Sequence, residues 1–469
     1  MIDHRPLAHL LPESGWTNDP TGPVYWRGRT HLFSQVNPTG PFWDRPHWGH
    51  FVTDDLVHWQ RRAIALSPDP DGPDAEGCYS GCVTVVGDAA MMFYTGARGT
   101  GADQVQTTCM ARSTDDQLDV WVRDAANPVI NAPDGVAADS FRDPFVIRDG
   151  DRWLQLVGAA LPGVGGAILL YSSDDLINWK PLGPMLTAAE LPGDMWTGDM
   201  WECPALLRTA QGDALFISVH DGADATYHAA AIVGRFANDR FQATNVHRID
   251  HGPDLYAPCL HVAPDGRAIM WGWSWEARSI ARQQEAGWAG VLTLPRKVTV
   301  LDGEVVTSPL SEVDRLRGGA RAIERIPTDD GWVAAGAGGD ALDLLLTLGA
   351  DRDEVSLRVR RSPGLEEHTT IGVDRRSGRV WVDRDHASLD DEVDGGVFTA
   401  PVRLPDGPLE IRVVVDRSIV EVFVTGGVAL TTRIYPTRSD STGVEVVGPP
   451  ASDVAVELRV WDLSSVWEG

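Results

Sequence analysis

The sequence predicts an all-β chain: a five-bladed β-propeller over residues 1–305, a connector over 306–330 and a β-sandwich over 331–469. Three observations carry this. The segment Asp54-Asp55-Leu56-Val57-His58-Trp59 recurs as Asp174-Asp175-Leu176-Ile177-Asn178-Trp179, with a looser copy from Thr114 to Trp121 between them. Pairs of apolar runs around a short polar turn recur in step, about sixty residues apart. After residue 305 that period stops, and short alternating runs replace it. Four-stranded sheets repeated about an axis make a propeller, and five units of this length fill the first 305 residues without leftover chain.

The first hairpin covers residues 22–38 and turns at Arg27-Gly28-Arg29. The second, 81–97, turns at Gly87-Asp88, and the third, 143–159, at Arg148-Asp149-Gly150-Asp151. The fourth, 203–220, turns at Gln211-Gly212-Asp213, and the fifth, 257–275, at Pro264-Asp265-Gly266. Gly, Asp and Asn are the residues that tight hairpin turns require. Beyond the connector, 342–348, 355–359, 370–382, 409–424, 429–435 and 454–461 alternate apolar with polar residues. That period of two, broken by Gly, Asp and Pro, reads as the antiparallel strands of a sandwich.

Three acids stand out against this frame. They lie in Trp16-Thr17-Asn18-Asp19-Pro20, Phe141-Arg142-Asp143-Pro144 and Met200-Trp201-Glu202-Cys203-Pro204. Asp19, Ser80, Asp143, Glu202 and Tyr256 are each expected immediately before the first strand of a hairpin. First strands line the channel of a propeller, so matching positions form a ring at one end of it. The carboxylates therefore meet, although they are far apart along the chain. Paired carboxylates are the equipment of glycoside hydrolysis, one attacking the anomeric carbon and one protonating the leaving oxygen. Glu202, beside Met200, Trp201 and Cys203, has the more apolar setting and is expected to hold a raised pKa as acid/base. Asp19, beside Asn18, is expected to stay ionised as nucleophile, and Asp143, beside Arg142, to grip hydroxyls.

Composition narrows the alternatives. Lys and Arg number 40 against 67 Asp and Glu, a net charge of −27, too acidic for a nucleic-acid footprint. No run of 18 apolar residues suggests a membrane span. Five cysteines without framework spacing and an amino terminus without an export signal give a cytoplasmic expectation. His47, His50 and His58 read as turn residues, so neither metal nor cofactor is expected. Trp271, Trp273 and Trp275 alternate on the fifth hairpin and are candidates to line the funnel.

These motifs resemble glycoside hydrolase family 32, the β-fructofuranosidases of invertase, inulinase and levanase type. Asn18 to Gly22, Gln35, Asn37-Pro38, Phe42-Trp43, Tyr79-Ser80-Gly81, Arg142-Asp143-Pro144 and Glu202-Cys203-Pro204 follow in family order. So do Tyr256-Ala257-Pro258, Leu294-Pro295-Arg296, Val415-Asp416-Arg417-Ser418 and Arg433-Ile434-Tyr435-Pro436. The resemblance implies the same propeller and sandwich, with Asp19 as nucleophile, Glu202 as acid/base and Asp143 as transition-state stabiliser. It implies that Asn18, Gln35, Trp43, Ser80 and Arg142 hold the terminal fructose, and Tyr256, in the same ring, is a further substrate-binding candidate. The expected activity is retaining, exo-acting hydrolysis of terminal β-D-fructofuranosides in sucrose and short fructo-oligosaccharides. Fructosyl transfer to a sugar acceptor, hydrolysis of levan or inulin, and a non-catalytic sugar-binding propeller are the alternatives. The partner is then a small sugar, and the chain is a monomer or weak homo-oligomer. Thr17, Thr21, Val36 and Cys259 depart from the usual family residues and bear on pocket shape.

Overall fold

The computed structural model describes residues 3–221, 226–402 and 407–467. All five hairpins form. The first blade consists of Gly15–Trp26, Arg29–Asn37, His47–Thr53 and Trp59–Arg61, and the second of Gly77–Val86, Ala89–Arg98, Val105–Ser113 and Trp121–Arg123. The third holds Phe141–Asp149, Arg152–Leu161, Gly165–Ser173 and Lys180–Thr187. The fourth holds Met200–Arg208, Asp213–His220, Thr226–Ala237 and Arg240–Arg248. The fifth is Leu255–Val262, Ala268–Ser274, Arg296–Leu301 and Glu304–Pro309. The core between blades is apolar, as where Leu154, Ile168 and Trp201 of the third and fourth meet, all fully buried, while ion pairs such as Arg208–Asp149 join the same blades outside it.

The repeated Asp-Asp-Leu segment has a mechanical role. It joins the third strand of a blade to the fourth. Asp55 accepts the backbone N–H of Val57 and His58 at 2.9 and 2.8 Å, and Asp175 accepts those of Ile177 and Asn178 at 3.0 and 2.8 Å. Asp115 does the same for Gln117 and Val120 at 2.7 and 2.6 Å. The central leucines, Leu56, Leu118 and Leu176, take φ of 67°, 58° and 69°, and the Asx-type bonds hold that left-handed turn.

The ring closes late in the chain. Trp288–Ala289 pairs in parallel with the first strand, Gly15 against Trp288 and Trp16 against Ala289. A short helix, Ile280–Ala286, leads into it, capped by the Ser279 side chain and ended by Gly287 at φ 74°.

The second domain packs a six-stranded sheet on a seven-stranded one. Leu344, Leu346, Val413 and Val422 of the first meet Leu357, Val373 and Val446 of the second in one buried core. Residues 306–330 hold the end of the last propeller strand, a 3-10 turn at Ser311–Leu316, and the strands Arg317–Ala320 and Glu324–Pro327. The last two of these join the two sandwich sheets, one each.

Ion pairs join the domains. His9 lies between Asp416 and Glu421 at 2.8 and 3.0 Å, and Arg296 bonds Glu421 and Asp250 at 2.7 Å each. Arg384 reaches Asp254 at 2.5 Å. These side chains are almost wholly buried, so each charge depends on its partner. The N- and C-terminal segments also meet, through a bond from Val466 N to Leu7 O at 2.9 Å. No helix among the described residues is long and apolar enough to cross a membrane.

Candidate active site

In each blade the first strand breaks register with the second at the same level. The shifts fall between Thr17 and Pro20, Tyr79 and Gly81, Arg142 and Phe145, Glu202 and Ala205, and Tyr256 and Cys259. A bulge of this kind leaves residues unpaired and re-aims their side chains. Five bulges at one level make the ring that the repeat predicts.

Two details correct the sequence reading. The strands begin upstream, at Gly15, Gly77, Phe141, Met200 and Leu255, so the five ring residues lie within strands rather than before them. The acids are also not all at equivalent positions. Asp143, Cys203 and Ala257 share the bulge position with φ of 64°, 48° and 46°, each before a proline. Glu202 and Tyr256 instead match Arg142, one residue earlier. The carboxylates still converge, because both bulge positions present side chains to the channel end.

They meet in a cavity of about 770 Å³ lined by Asn18, Asp19, Gln35, Trp43, Arg142, Asp143, Glu202 and Tyr256, among others. Eight of the nine expected site residues therefore share one wall. Ser80 is the exception: it lines a smaller cavity of about 130 Å³ deeper in the channel, with Asp143 bordering both. From there the Ser80 hydroxyl donates to Asp19 Oδ2 at 2.8 Å and accepts from Gln35 Nε2. Gln35 Nε2 also reaches Asp19 Oδ2 at 3.1 Å, and Asn18 Nδ2 reaches Oδ1 at 3.2 Å. The Cys203 thiol lies 3.6 Å from both Asp19 Oδ2 and Asp143 Oδ2. The Cys203 N–H donates to Asp143 at 2.9 Å, and Thr95 Oγ1 accepts the Asp143 N–H at 2.7 Å.

Glu202 is held differently. Arg142 lies 2.7 Å from Oε1, and the Tyr256 hydroxyl donates to Oε2 at 2.5 Å. Arg142 is itself fixed by Gln106 Oε1 at 3.1 Å and the Asp139 carbonyl at 2.9 Å.

This arrangement reverses the expected order of acidities. Burial, reinforced by the charges of Asp143 and Glu202, pushes the Asp19 carboxyl up to about 7. Burial and Glu202 push Asp143 up to about 6 against the pull of Arg142. Burial also raises Glu202, but Arg142, His220 and the Tyr256 hydroxyl together outweigh it and hold that carboxyl below its usual range. Trp201, beside Glu202 along the chain, turns away from the cavity and is fully buried among the blade residues.

Other expectations resolve in detail. Of the three alternating tryptophans only Trp273 lines the cavity. Trp271 is buried against Trp59, and Trp275 Nε1 donates to Asp254 at 2.9 Å. Thr21 stitches two blades, donating to Gly81 O at 2.7 Å and accepting Gly81 N–H at 2.9 Å. Thr17 bonds Gln35 O at 3.0 Å, Val36 is buried, and Cys259 lines the deeper cavity. Sequence reasoning missed Gln106, Asp139, Asp199, His220 and Asp221 as cavity residues. Among the described residues no cluster of His, Cys, Asp and Glu is disposed to hold a metal ion.

Two family models match nearly the whole chain: the glycosyl hydrolases family 32 N-terminal domain over residues 9–309, and the family 32 C-terminal domain over 312–462. The chain belongs to glycoside hydrolase family 32. It is 32% identical to a sucrose-6-phosphate hydrolase of Escherichia coli, over 92% of this chain and 89% of that protein. It is 31% identical to a raffinose invertase of Escherichia coli, over 98% and 95%. Among solved structures it resembles a family 32 β-fructofuranosidase of Bombyx mori, with a TM-score of 0.83, 27% identity, and coverage of 99% of this chain and 95% of that one. The five-bladed propeller with a C-terminal sandwich is thus the family 32 fold, and the protein is a glycoside hydrolase.

Proposed function

We propose that this family 32 enzyme is a retaining, exo-acting β-fructofuranosidase that cleaves terminal fructosyl units from sucrose and short fructo-oligosaccharides. The observation that carries the reading is the meeting of Asp19, Asp143 and Glu202 in one cavity, with Arg142 and Tyr256 gripping only Glu202. The names of the relatives, a raffinose invertase and a sucrose-6-phosphate hydrolase, support the substrate class. So does a variant of the silkworm enzyme solved in complex with sucrose.

In this reading Asp19 attacks the anomeric carbon through Oδ1, since Oδ2 is taken up by Ser80, Gln35 and Cys203. Glu202 protonates the glycosidic oxygen as the bond to the leaving sugar breaks, and a fructosyl ester forms on Asp19. Glu202 then takes a proton from water, and the water oxygen displaces Asp19. Asp143 accepts hydroxyls of the fructose ring. Trp43 and Tyr79, edge to face at 5.6 Å on the cavity wall, offer apolar faces to its C–H side. A cavity of about 770 Å³ lies within the size range of small-molecule sites and admits a di- or trisaccharide.

Before reaction the three carboxylates share protons as a set. The reactive form has one proton, on Glu202, and an ionised Asp19. The test is to incubate Glu202→Ala with a fructoside bearing a good leaving group and digest the trapped enzyme. A fructosyl adduct on the peptide holding Asp19 is expected. An adduct elsewhere, or release of fructose with inverted configuration, overturns the assignment.

A further inference from the structure

The stretches of sequence that supply much of the cavity wall lack positive charge. Residues 99–111, 124–141, 181–207 and 209–234 contain no Lys or Arg, although the chain has 40. These segments supply Thr100, Gln104, Gln106, Asp139, Asp199 and Asp221 to the cavity wall. Arg142 is the one Arg or Lys among the described lining residues, and Glu202, Gln106 and the Asp139 carbonyl already occupy it. His220 also lines the cavity, and its charge acts on Glu202, at the reacting end. Arg45, two residues from the cavity residue Trp43 along the chain, faces Asp44 at 3.8 Å and does not line the cavity.

Against this stand three carboxylates outside the reacting trio: Asp139, Asp199 and Asp221. The Tyr227 hydroxyl donates to Asp221 at 2.7 Å, and the Tyr227 ring packs edge to face on Trp196 at 4.6 Å. Both aromatic rings are largely exposed, at 43% and 50%, which leaves faces open at the margin of the site. Carboxylates accept the hydroxyls of a neutral sugar, and aromatic faces take its C–H side. A phosphate dianion finds no free guanidinium or ammonium group here and meets like charge instead.

We propose that the cavity selects uncharged leaving groups and rejects phosphorylated ones, with Asp139, Asp199 and Asp221 setting that preference. This rests on the fructofuranosidase reading above and names the substrate within it. It separates the chain from the relative named for sucrose 6-phosphate, a distinction that 32% against 31% identity does not draw. The same field that excludes the anion leaves association of a neutral sugar unaffected by salt.

The experiment compares kcat/KM for sucrose and for sucrose 6-phosphate with the full chain, at about 10 mM and about 150 mM salt. Sucrose is expected to be favoured at least tenfold at low salt, in line with the size of such field effects, with a smaller ratio at high salt. The combined variant Asp139→Asn, Asp199→Asn, Asp221→Asn should narrow the ratio at low salt. Equal or faster cleavage of sucrose 6-phosphate overturns the proposal, and so does a ratio unchanged in that variant. If neither sugar is cleaved, the fructofuranosidase reading fails instead. Calorimetric binding of both sugars to Asp19→Asn then decides the charge preference separately: tighter binding of the phosphorylated sugar overturns it.

Discussion

Arg142 and Glu202, from the first strands of neighbouring blades, stand 2.7 Å apart, and this pair makes Glu202 the most acidic of the three clustered carboxyls. Before substrate binds, the proton needed for leaving-group departure therefore rests elsewhere than on Glu202, nearest Asp19. Substrate binding has to bring it to Glu202.

A pH profile follows from that proton count. With Asp143 near 6 and Asp19 near 7, the set holds a single proton mainly between those values. Below about 6 a second proton loads and neutralises a group that must stay charged. Above about 7 the last proton leaves and no acid remains. kcat/KM should form a bell with its maximum in the window between them. A plateau extending from pH 5 to pH 9 contradicts this.

Removing either reacting acid should abolish most turnover without unfolding the protein. Asp19→Ala is expected to lose about 10⁶-fold in kcat, as nucleophile knockouts do. Glu202→Ala should lose about 10²–10⁴-fold on sucrose, and much less on substrates whose leaving group needs no proton. Circular dichroism melts accompany the kinetics. A collapse of cooperative melting would assign the residue to the fold.

Tyr256→Phe deletes one donor to Glu202, a hydrogen bond to a charged group, worth about 1.5–3 kcal/mol. The Glu202 carboxyl should hold its proton more tightly, so the alkaline limb of the profile moves up while kcat/KM falls roughly tenfold. An unmoved limb would place the hydroxyl's role with Val219 O, 3.1 Å away, rather than with Glu202.

The domain interface has its own pH dependence. Burial disfavours the charged His9, but bonds to Asp416 and Glu421 outweigh it and raise the pKa to about 9. Its stabilisation is fully present below about 6.5 and is lost as pH rises through about 9, on the order of 3 kcal/mol. Glu421 is buried too, yet Arg296 and His9 hold it near 2, so its contribution is present above about 4.5 and is lost as pH falls through 2. Tm should fall between pH 6.5 and 9. His9→Ala should cost about 3–5 kcal/mol near pH 6 by stranding buried acid, and should flatten that decline.

The fold was legible because its signals are local and repeated. Asp175 and Leu176 announce their turn within a few residues, and the turn at Gly150 announces its hairpin. The bulges were less legible: Pro20, Pro144, Pro204 and Pro258 follow four of them, but a proline alone fits the start of a strand as well as a bulge within it. That is why Glu202 and Asp143 were aligned with each other when they differ by one step. The acidities were misread for a related reason. Glu202 takes its character from Arg142 and Tyr256, which lie 60 and 54 residues away, and not from Trp201 beside it. The interface of His9 with Asp416 spans 407 residues, beyond any pattern in a single chain.

The parallel pairing of Gly15 and Trp16 with Trp288 and Ala289 sets an order on biosynthesis. The strand bearing Asp19 leaves the ribosome among the first, yet one of its edges has no partner until the chain has grown to Trp288. Throughout that interval the nucleophile's strand shows an open edge to neighbouring nascent chains. A product truncated before Trp288 contains all three clustered acids and still lacks the closure that holds the first of them in the ring. Competence for reaction therefore arrives only while blade five is being completed, rather than accumulating blade by blade.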